Sequence, residues 1–523
     1  MRRILVMLSL IFSATIMAVA CGKEPAPEPE PISPIVSLEA LELVVEGDEG
    51  EHTLNYNVLN PVADAVLSAE CDAEWLTVDV DATKVRVAVT KNEARLPREA
   101  TILLSYPKCK DVELRVVQNE YTRRFELFPM HEEADIPYRI PAVTVTMDGS
   151  LVAVADYRHS RYDIGVADFG RIDLHMRRST DNGVTWGPIE VIIEGKGSAS
   201  EDFMNVGYGD PCIVADCESQ RVLLMSCAGN VSYQAGTRDR HQNMARFYSE
   251  DGGLSWSAPT DIAESIYSKF DECSFGPVNA MFVASGRIMQ SRQVKVDDYY
   301  RLYCAVLVRD KYNSPKNFVL YSDNFGDSWE VLGGVAKAPL GGNCDEPKVE
   351  ELPDGSVLLS SRWMGGRYFN IYSFANVATA EGRWGSASFS SRSNDGVSAV
   401  DNSTNGEVML VKALRKADGA EVDLLLQSVP LGPGRTNVGI YYKALESASD
   451  YSAASVISRG WEGVCQVTTL GSAYSTMAWQ HDGRLAFLWE EATYCSDKSG
   501  GYTIVYDSFS LEKITGGKYS FRE

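Results

Sequence analysis

The chain has 523 residues, 45% hydrophobic and 23% charged, a globular composition too long for one compact core, so at least two domains are expected. A formal net charge of −23 excludes a nucleic-acid binder, whose face must be basic. The same field opposes anionic ligands at long range, so any anionic substrate needs a local cationic cluster.

The chain opens with Arg2 and Arg3 and then an apolar run from Ile4 to Val19, the pattern of an export signal. The run is short for a lone membrane span. Its end, Ala18-Val-Ala-Cys21, resembles a bacterial lipobox. That resemblance implies a signal peptide over residues 1–21, lipidation of Cys21, and an anchor in the outer membrane facing the cell surface or periplasm. The following Cys-Gly-Lys-Glu is similar to surface-export signals of some Gram-negative lipoproteins. Residues 22–34 form a Pro/Glu-rich linker. The cysteines beyond Cys21 can form disulfides in an exported protein, in pairings the sequence does not fix. Cys212, Cys217 and Cys227 are close together but lie on strand-like segments without a nearby His, so no metal site is expected there.

Residues 35–119 alternate apolar and polar in short runs: Leu41–Val45, Val85–Val89, Ile102–Leu104 and Val112–Val117. Period-2 alternation between turns predicts a small antiparallel β-sandwich of immunoglobulin-like type. Glu74-Trp-Leu-Thr-Val78, Asn92, Arg98-Glu-Ala-Thr-Ile102 and Val116-Val-Gln-Asn119 resemble a BACON-type module. The resemblance implies a unit placed between a lipid anchor and a glycan-active domain. A spacer role is expected, with Trp75 in the core, because no cluster of exposed aromatics suits stacking on sugar.

Residues 121–523 are strand-rich throughout, with runs at Val143, Val222, Leu302, Val357 and Leu485 and turn signals at Asp148-Gly149, Asp354-Gly355 and Asp482-Gly483. A phrase recurs three times: Ser179-Thr-Asp-Asn-Gly-Val-Thr-Trp186, Ser249-Glu-Asp-Gly-Gly-Leu-Ser-Trp256 and Ser322-Asp-Asn-Phe-Gly-Asp-Ser-Trp329. Copies 70 and 73 residues apart suit units of four strands with loops. The prediction is an all-β chain whose second domain is a six-bladed β-propeller, a radial repeat that protects sheet edges. Ser and Asp in the phrase suit bonds to backbone amides, Gly suits a positive φ, and Trp suits packing between strands. Asp181, Asp251 and Asp323 are therefore expected to be scaffold; Asn324 holds the Asp position in the third copy.

The repeats resemble the Asp boxes of sialidases, and further motifs carry that resemblance across the second domain. Tyr138-Arg-Ile-Pro141 matches the family's Arg-Ile-Pro motif, which makes Arg139 the first of an arginine triad. Arg158 stands five residues before Asp163, the family's spacing to its acid/base, although Asp156 is a rival acid. Gly209-Asp210-Pro matches the place of a sugar-contacting Asp or Asn. Glu346 and Arg362 are sixteen residues apart, as the family separates its catalytic Glu from its second triad Arg. Glu350 and Glu351 compete with Glu346 but precede a turn and are expected to be solvated. Arg435 is the preferred third triad member, with Arg459 as an alternative, and Arg367 is expected at the surface. Tyr474, in Gly471-Ser-Ala-Tyr-Ser475, takes the nucleophile's place.

The resemblance implies a retaining exo-α-sialidase that removes terminal sialic acid from glycans or glycoproteins. Its catalytic set would be Asp163, Glu346 and Tyr474, and its substrate-binding set Arg139, Arg158, Asp210, Arg362 and Arg435. The chemistry suits the residue types, since guanidinium forks match a carboxylate and a neutral phenol approaches an anionic sugar without repulsion. Two alternatives keep the same residues: transfer of sialic acid to another sugar or to itself, and an inactive glycan-binding lipoprotein. No Gly-rich phosphate cradle or HExxH phrase appears, and His is scarce, so no cofactor is expected, and the chain is expected to be monomeric.

Overall fold

The computed structural model describes residues 33–92, 94, 97–121, 124–130, 138–166, 170–342, 344–492 and 501–522. The expected signal peptide, Cys21 and nearly all of the 22–34 linker lie outside the described residues. The chain divides into two compact units. The first comprises Gly50–Val89 and Ala100–Val116 with the chain up to Leu43, and the second Val117–Glu523 with the segments Val44–Glu49 and Thr90–Glu99.

Two four-stranded sheets occupy residues 35–118. One orders Ile35–Leu38, Gly50–Leu59, Lys84–Val89 and Leu76–Val80; the other orders Glu42–Val45, Val112–Gln118, Arg98–Ser105 and Ser68–Glu70. Each sheet buries alternate residues: Val85 and Val87 from the first, Ile102, Leu104 and Leu114 from the second. Trp75 is only half-buried.

Among the described residues, the second unit contains six sheets of four or five main strands, an all-β architecture consistent with a β-propeller. The first strands of successive sheets are Tyr138–Val145, Tyr208–Ala215, Ala280–Val283, Pro347–Glu351, Val408–Arg415 and Ser472–Trp479. Middle strands such as Val222–Ala228 and Leu485–Glu491 are buried along their whole length, because neighbouring sheets cover both faces. That double burial is why they read as unbroken apolar runs rather than alternation. The sixth sheet takes its outer strand, Phe125–Phe128, from the beginning of the unit, which pairs with Thr503–Phe509 and ties the two ends of the unit together.

The recurring phrase joins the third and fourth strands of the first three sheets. Ser179, Ser249 and Ser322 end their strands, and each Oγ accepts the amide of the phrase's glycine, at 2.9 Å from Gly183, 2.7 Å from Gly253 and 2.8 Å from Gly326. These glycines have φ of 78°, 84° and 85°, which an L side chain resists. They also abut the preceding sheet: a Cβ would meet Tyr506 Oη at 1.9 Å from Gly183, Val152 Cγ2 at 3.1 Å from Gly253 and Leu223 Cδ2 at 2.5 Å from Gly326. The tryptophans follow. Trp186 packs edge-on to Tyr506 at 5.0 Å, and Trp256 Nε1 points at Met176 Sδ at 3.3 Å. The phrase is therefore a turn that fastens one sheet to its predecessor, a longer reach than packing between neighbouring strands. In the third copy Asn324 Oδ1 takes over the Ser328 amide at 2.9 Å, while Asp323 turns away to a two-pronged pair with the buried Arg301.

Glu350 and Glu351 correct the sequence expectation of solvated acids: both are completely buried. Glu350 is held by Arg287 and Arg292 at 2.5 and 2.7 Å, and Glu351 accepts the Arg292 amide at 2.8 Å and the Ser291 hydroxyl. They precede a turn whose tip, Asp354, is exposed, but the strand Pro347–Glu351 that carries them is buried along its whole length.

Asp251 accepts from the Leu254 and Ser255 amides and from the hydroxyls of Ser249 and Ser255. Burial opposes its ionisation, and these donors together outweigh it, holding the carboxyl at about 2. Asp251→Ala is expected to lower stability by about 1–2 kcal/mol, whereas Asp251→Asn is tolerated, as in the Asn324 turn. Calorimetric melting of the two variants checks this: equal melting temperatures for Asp251→Ala and the native chain would refute the turn's role.

Candidate active site

The candidate residues come together at one end of the second unit, and local backbone features explain how. Three strand openings are bulged: between Arg139 and Ala142, between Gly209 and Cys212, and between Ser472 and Ser475. A bulge turns a side chain out of the pleat. Arg139, Asp210 and Tyr474 all lie at these bulges. Ile140 and Asp210 adopt φ of 56° and 54°, a left-handed conformation that a β-branched residue rarely takes.

The sixteen-residue interval between Glu346 and Arg362 is one hairpin. Glu346 precedes the strand Pro347–Glu351, and Val357–Trp363 returns antiparallel, so the Arg362 amide donates to the Glu346 carbonyl at 3.0 Å. Arg158 ends the strand Leu151–Arg158, and Asp163 lies on the loop beyond it. Arg435 sits in the loop before Val438–Leu445, and its carbonyl accepts the Ser472 amide at 2.8 Å, which brings it beside the strand of Tyr474. Arg459 is exposed and does not line the cavity; its Nε bonds the Ser455 carbonyl.

Arg139, Arg158, Asp163, Asp210, Glu346, Arg362, Arg435 and Tyr474 all line one cavity of about 330 Å³. At its centre the Tyr474 hydroxyl donates to Glu346 Oε1 at 2.7 Å. Arg362 Nη1 donates to Glu346 Oε2 at 2.7 Å and to the Tyr474 oxygen at 3.0 Å. Arg139 and Arg435 approach the Tyr474 ring, with guanidinium carbons 5.5 and 5.8 Å from its centroid. Three guanidinium groups thus surround one phenol. Burial, and then the Glu346 charge, push that phenol well above its ordinary range, so it holds its proton at neutral pH.

A second cluster surrounds Arg158. Its guanidinium contacts Asp163 at 2.5 Å and Asp156 at 2.9 Å. Asp156 is fully buried and accepts the Asp210 amide at 3.0 Å, so the rival acid is a support behind the cavity rather than part of its lining. Burial outweighs the pull of Arg158 and raises Asp156 to about 7. Burial also raises Asp210 strongly, and the nearby Asp156 and Asp163 add to it. Asp163 itself keeps its side chain 67% exposed.

Sequence reasoning missed Glu490. It is completely buried, and its Oε1 accepts from Arg139 Nε at 2.6 Å and from the Ile140 amide at 2.8 Å, while Oε2 accepts from the Tyr474 amide at 3.1 Å. One carboxylate thus fixes two of the bulges. It carries no spacing motif, and its signal was only an acidic pair at the end of an apolar strand. Asp345 was also missed; it lines the cavity and lies 3.3 Å from Arg362. Arg367 corrects the expectation of a surface residue. It is completely buried, lies across the hairpin from Arg362, and donates to Ser360. Burial and the neighbouring Arg362 charge press it down to about 9.

These features define an all-β protein with a cleft that joins four arginines to an acid-paired phenol. Residues 142–427, more than half of the chain, match the BNR repeat-like domain family, and the chain belongs to that family. The sialidase of Micromonospora viridifaciens is 31% identical over 257 residues, 45% of this chain and 35% of that protein. The sialidase of Clostridium perfringens is 23% identical over 252 residues, 46% of this chain and 59% of that protein. The matched stretch thus spans about a third to three-fifths of these relatives. Among solved structures, a leech intramolecular trans-sialidase superposes with a TM-score of 0.59 at 14% identity, covering 89% of this chain and 88% of that one. A Hadza microbial sialidase gives 0.56 at 20% identity, covering 83% and 77%. Both share the fold.

Two outcomes follow from the geometry. Glu490→Leu leaves the Arg139 charge and two amides unpaired, and breaking such a buried pair is expected to cost about 3–5 kcal/mol, measurable as a large drop in melting temperature. As pH rises through about 7, Asp156 ionises and adds negative charge beside Arg158. Affinity for a carboxylate ligand should therefore fall through that range, and Asp156→Asn should flatten the fall; an unchanged slope in calorimetric titrations would contradict the assignment.

Proposed function

We propose that the chain is a retaining exo-α-sialidase that hydrolyses terminal sialic acid from glycoconjugates. The observation that carries this reading is the convergence of Arg139, Arg362 and Arg435 on Tyr474, whose hydroxyl is bonded to Glu346. Sialic acid bears a carboxylate on its anomeric carbon. Three guanidiniums suit that anion, and they give the cavity a local positive wall despite the charge of −23 on the chain.

The carboxylate also constrains the nucleophile. An Asp or Glu attacking beside it would be repelled, whereas a protonated phenol is not, and sialidases are the known tyrosine-using exception among glycosidases. Tyr474 is a poor nucleophile while protonated, so Glu346, already its hydrogen-bond acceptor, takes the proton as the phenol oxygen bonds to the anomeric carbon. Asp163 gives its proton to the departing glycosidic oxygen, then removes one from the water that displaces Tyr474. The phenol leaves with the proton returned by Glu346. Two displacements on opposite faces retain the anomeric configuration. The exposure of Asp163 suits a group that must meet both a large leaving group and solvent, and Arg158 orients it.

The remaining features fit one organisation. The six sheets serve as six propeller blades, and residues 35–119 as an immunoglobulin-like, BACON-type spacer. The N-terminal pattern ending at Cys21 supports export and a lipid anchor that would hold the cavity near cell-surface glycans.

A fluorogenic sialoside tests the reading. Wild type should release the fluorophore, and Tyr474→Phe should slow release on the order of a hundredfold to ten-thousandfold, as loss of a covalent or acid–base partner does. Turnover of Tyr474→Phe within about tenfold of wild type would remove the nucleophile from this role. Asp163→Ala should fail mainly on natural glycosides and less on substrates with good leaving groups. NMR of the products separates hydrolysis from transfer, and absence of any turnover leaves a glycan-binding protein.

A further inference from the structure

Arg435 differs from the other arginines of the cavity in what holds it. Glu490 stands beside Arg139, Asp156 and Asp163 beside Arg158, and Glu346 and Asp345 beside Arg362. Among the described residues Arg435 forms no ion pair. Its backbone is tied, since its carbonyl accepts the Ser472 amide at 2.8 Å and Thr436 bridges Gly471. A long side chain without a partner gives up rotamer freedom when an anion binds, and that loss subtracts from affinity.

Tyr502 supplies the missing contact. It stands just before the strand Thr503–Phe509 of the sixth sheet and packs against Ile140, Ala473 and Tyr474. The Arg139 guanidinium carbon lies 5.2 Å from the centre of its ring and 5.5 Å from that of Tyr474, so two aromatic rings hold that cation. The Tyr502 hydroxyl accepts a hydrogen bond from Arg435. One side chain of the sixth sheet thus meets an arginine of the first sheet and an arginine on a loop of the fifth. Tyr502 itself does not line the cavity.

Charge explains why a phenol suits this place. A carboxylate there would pair with Arg435 more strongly, but it would neutralise the guanidinium and repel an incoming anion. Burial, and then the Glu490 charge, push the Tyr502 phenol up against the pull of Arg139 and Arg435, so it stays neutral. It orders its neighbours and leaves their positive charge to the ligand.

We propose that Tyr502 is a positioning residue that sets the distance between the Arg139 and Arg435 guanidiniums, so that both meet one ligand carboxylate. The inference rests on reading the cavity as an acid-sugar site.

The test compares the native full chain with Tyr502→Phe, which keeps the ring and removes the hydroxyl, and Tyr502→Leu, which removes both. Each is titrated calorimetrically with 2-deoxy-2,3-didehydro-N-acetylneuraminic acid and with its methyl ester, which lacks the charge. Tyr502→Leu should bind the acid about 5- to 30-fold more weakly, and Tyr502→Phe about 3- to 10-fold. Both should bind the ester within about twofold of the native chain. A merely structural role would weaken acid and ester alike, whatever it did to the melting temperature. Equal losses on the two ligands, or undiminished affinity of either variant for the acid, would overturn the role of Tyr502 alone. A native chain that binds the acid no tighter than the ester, or binds neither, would overturn the acid-sugar reading together with it. A native chain that prefers the acid yet cleaves no sialoside refutes the hydrolase reading alone.

Discussion

Like charges confined to a small cavity repel, and the surroundings of the site are organised by that repulsion. Arg139, Arg158, Arg362 and Arg435 line a space of about 330 Å³. In a partly dry cavity each pairwise repulsion is several times stronger than in water. Acids placed beside three of the arginines offset it: Glu490 beside Arg139, Asp156 and Asp163 beside Arg158, Glu346 and Asp345 beside Arg362. The acids bring repulsion of their own. It adds to burial in raising Asp156, Asp210 and Asp345 above the usual carboxylate range. The cavity lining carries four basic and four acidic side chains, so it departs from the strongly acidic character of the chain as a whole.

Holding those charges in register costs backbone strain. Ile140 and Asp210 take left-handed conformations that are uncommon outside glycine, at roughly 1–3 kcal/mol each. Both strained residues lie at bulges where a strand would otherwise bury its side chain in the pleat. The strain persists because buried bonds fix the result: Glu490 accepts the Ile140 amide and Asp156 accepts the Asp210 amide. The same Glu490 accepts the Tyr474 amide in another sheet. A single acid thereby sets the distance between Arg139 and Tyr474, so the scaffold and the site cannot be separated at that point.

The sequence was most legible where chemistry follows chain distance. The Glu346–Arg362 interval is the length of a hairpin, and the recurrent Ser-x-Asp-x-Gly phrase is a turn with its bonds inside a few residues. The phrase could be read from residue types alone, while the interval was picked out by the sixteen-residue spacing of the family that the chain resembles. Arg435 and Tyr474 needed the family resemblance, since what joins them is tertiary: the bond from Ser472 to the Arg435 carbonyl and the approach of the Arg435 guanidinium to the Tyr474 ring. What escaped was partnership across long separations. Glu490 lies about 350 residues from Arg139, and Phe125–Phe128 closes a sheet whose other strands begin near residue 472. Glu350, Glu351 and Arg367 were misjudged because charged residues are normally solvated, but here they lie on strands buried within the unit, where counter-charges, hydroxyls or carbonyls replace water.

The floor below the cavity shows how far that replacement extends. The first two strands of the fourth, fifth and sixth sheets bury small hydroxyl and amide side chains where aliphatic packing would be usual. Ser360 bonds Gln427 at 2.7 Å, Ser428 bonds Ser475 at 2.8 Å, and Gln427 bonds the Glu407 carbonyl at 2.9 Å. Glu407 in turn meets Thr476 at 3.2 Å and Lys348 at 3.3 Å. Such a network is tolerable only when nearly every member is satisfied, and then it fixes one arrangement of the strands more sharply than interchangeable aliphatic contacts would. Arg367 sits within this network with hydroxyl and carbonyl acceptors, and it forms no ion pair among the described residues. Its uncompensated charge lies across the hairpin from Arg362, so the positive character of the arginine wall continues into the protein behind it. An anion entering the cavity is attracted by a charge it never touches, and the cost of burying that charge is borne by the folded polar floor rather than by the groups that must contact the ligand.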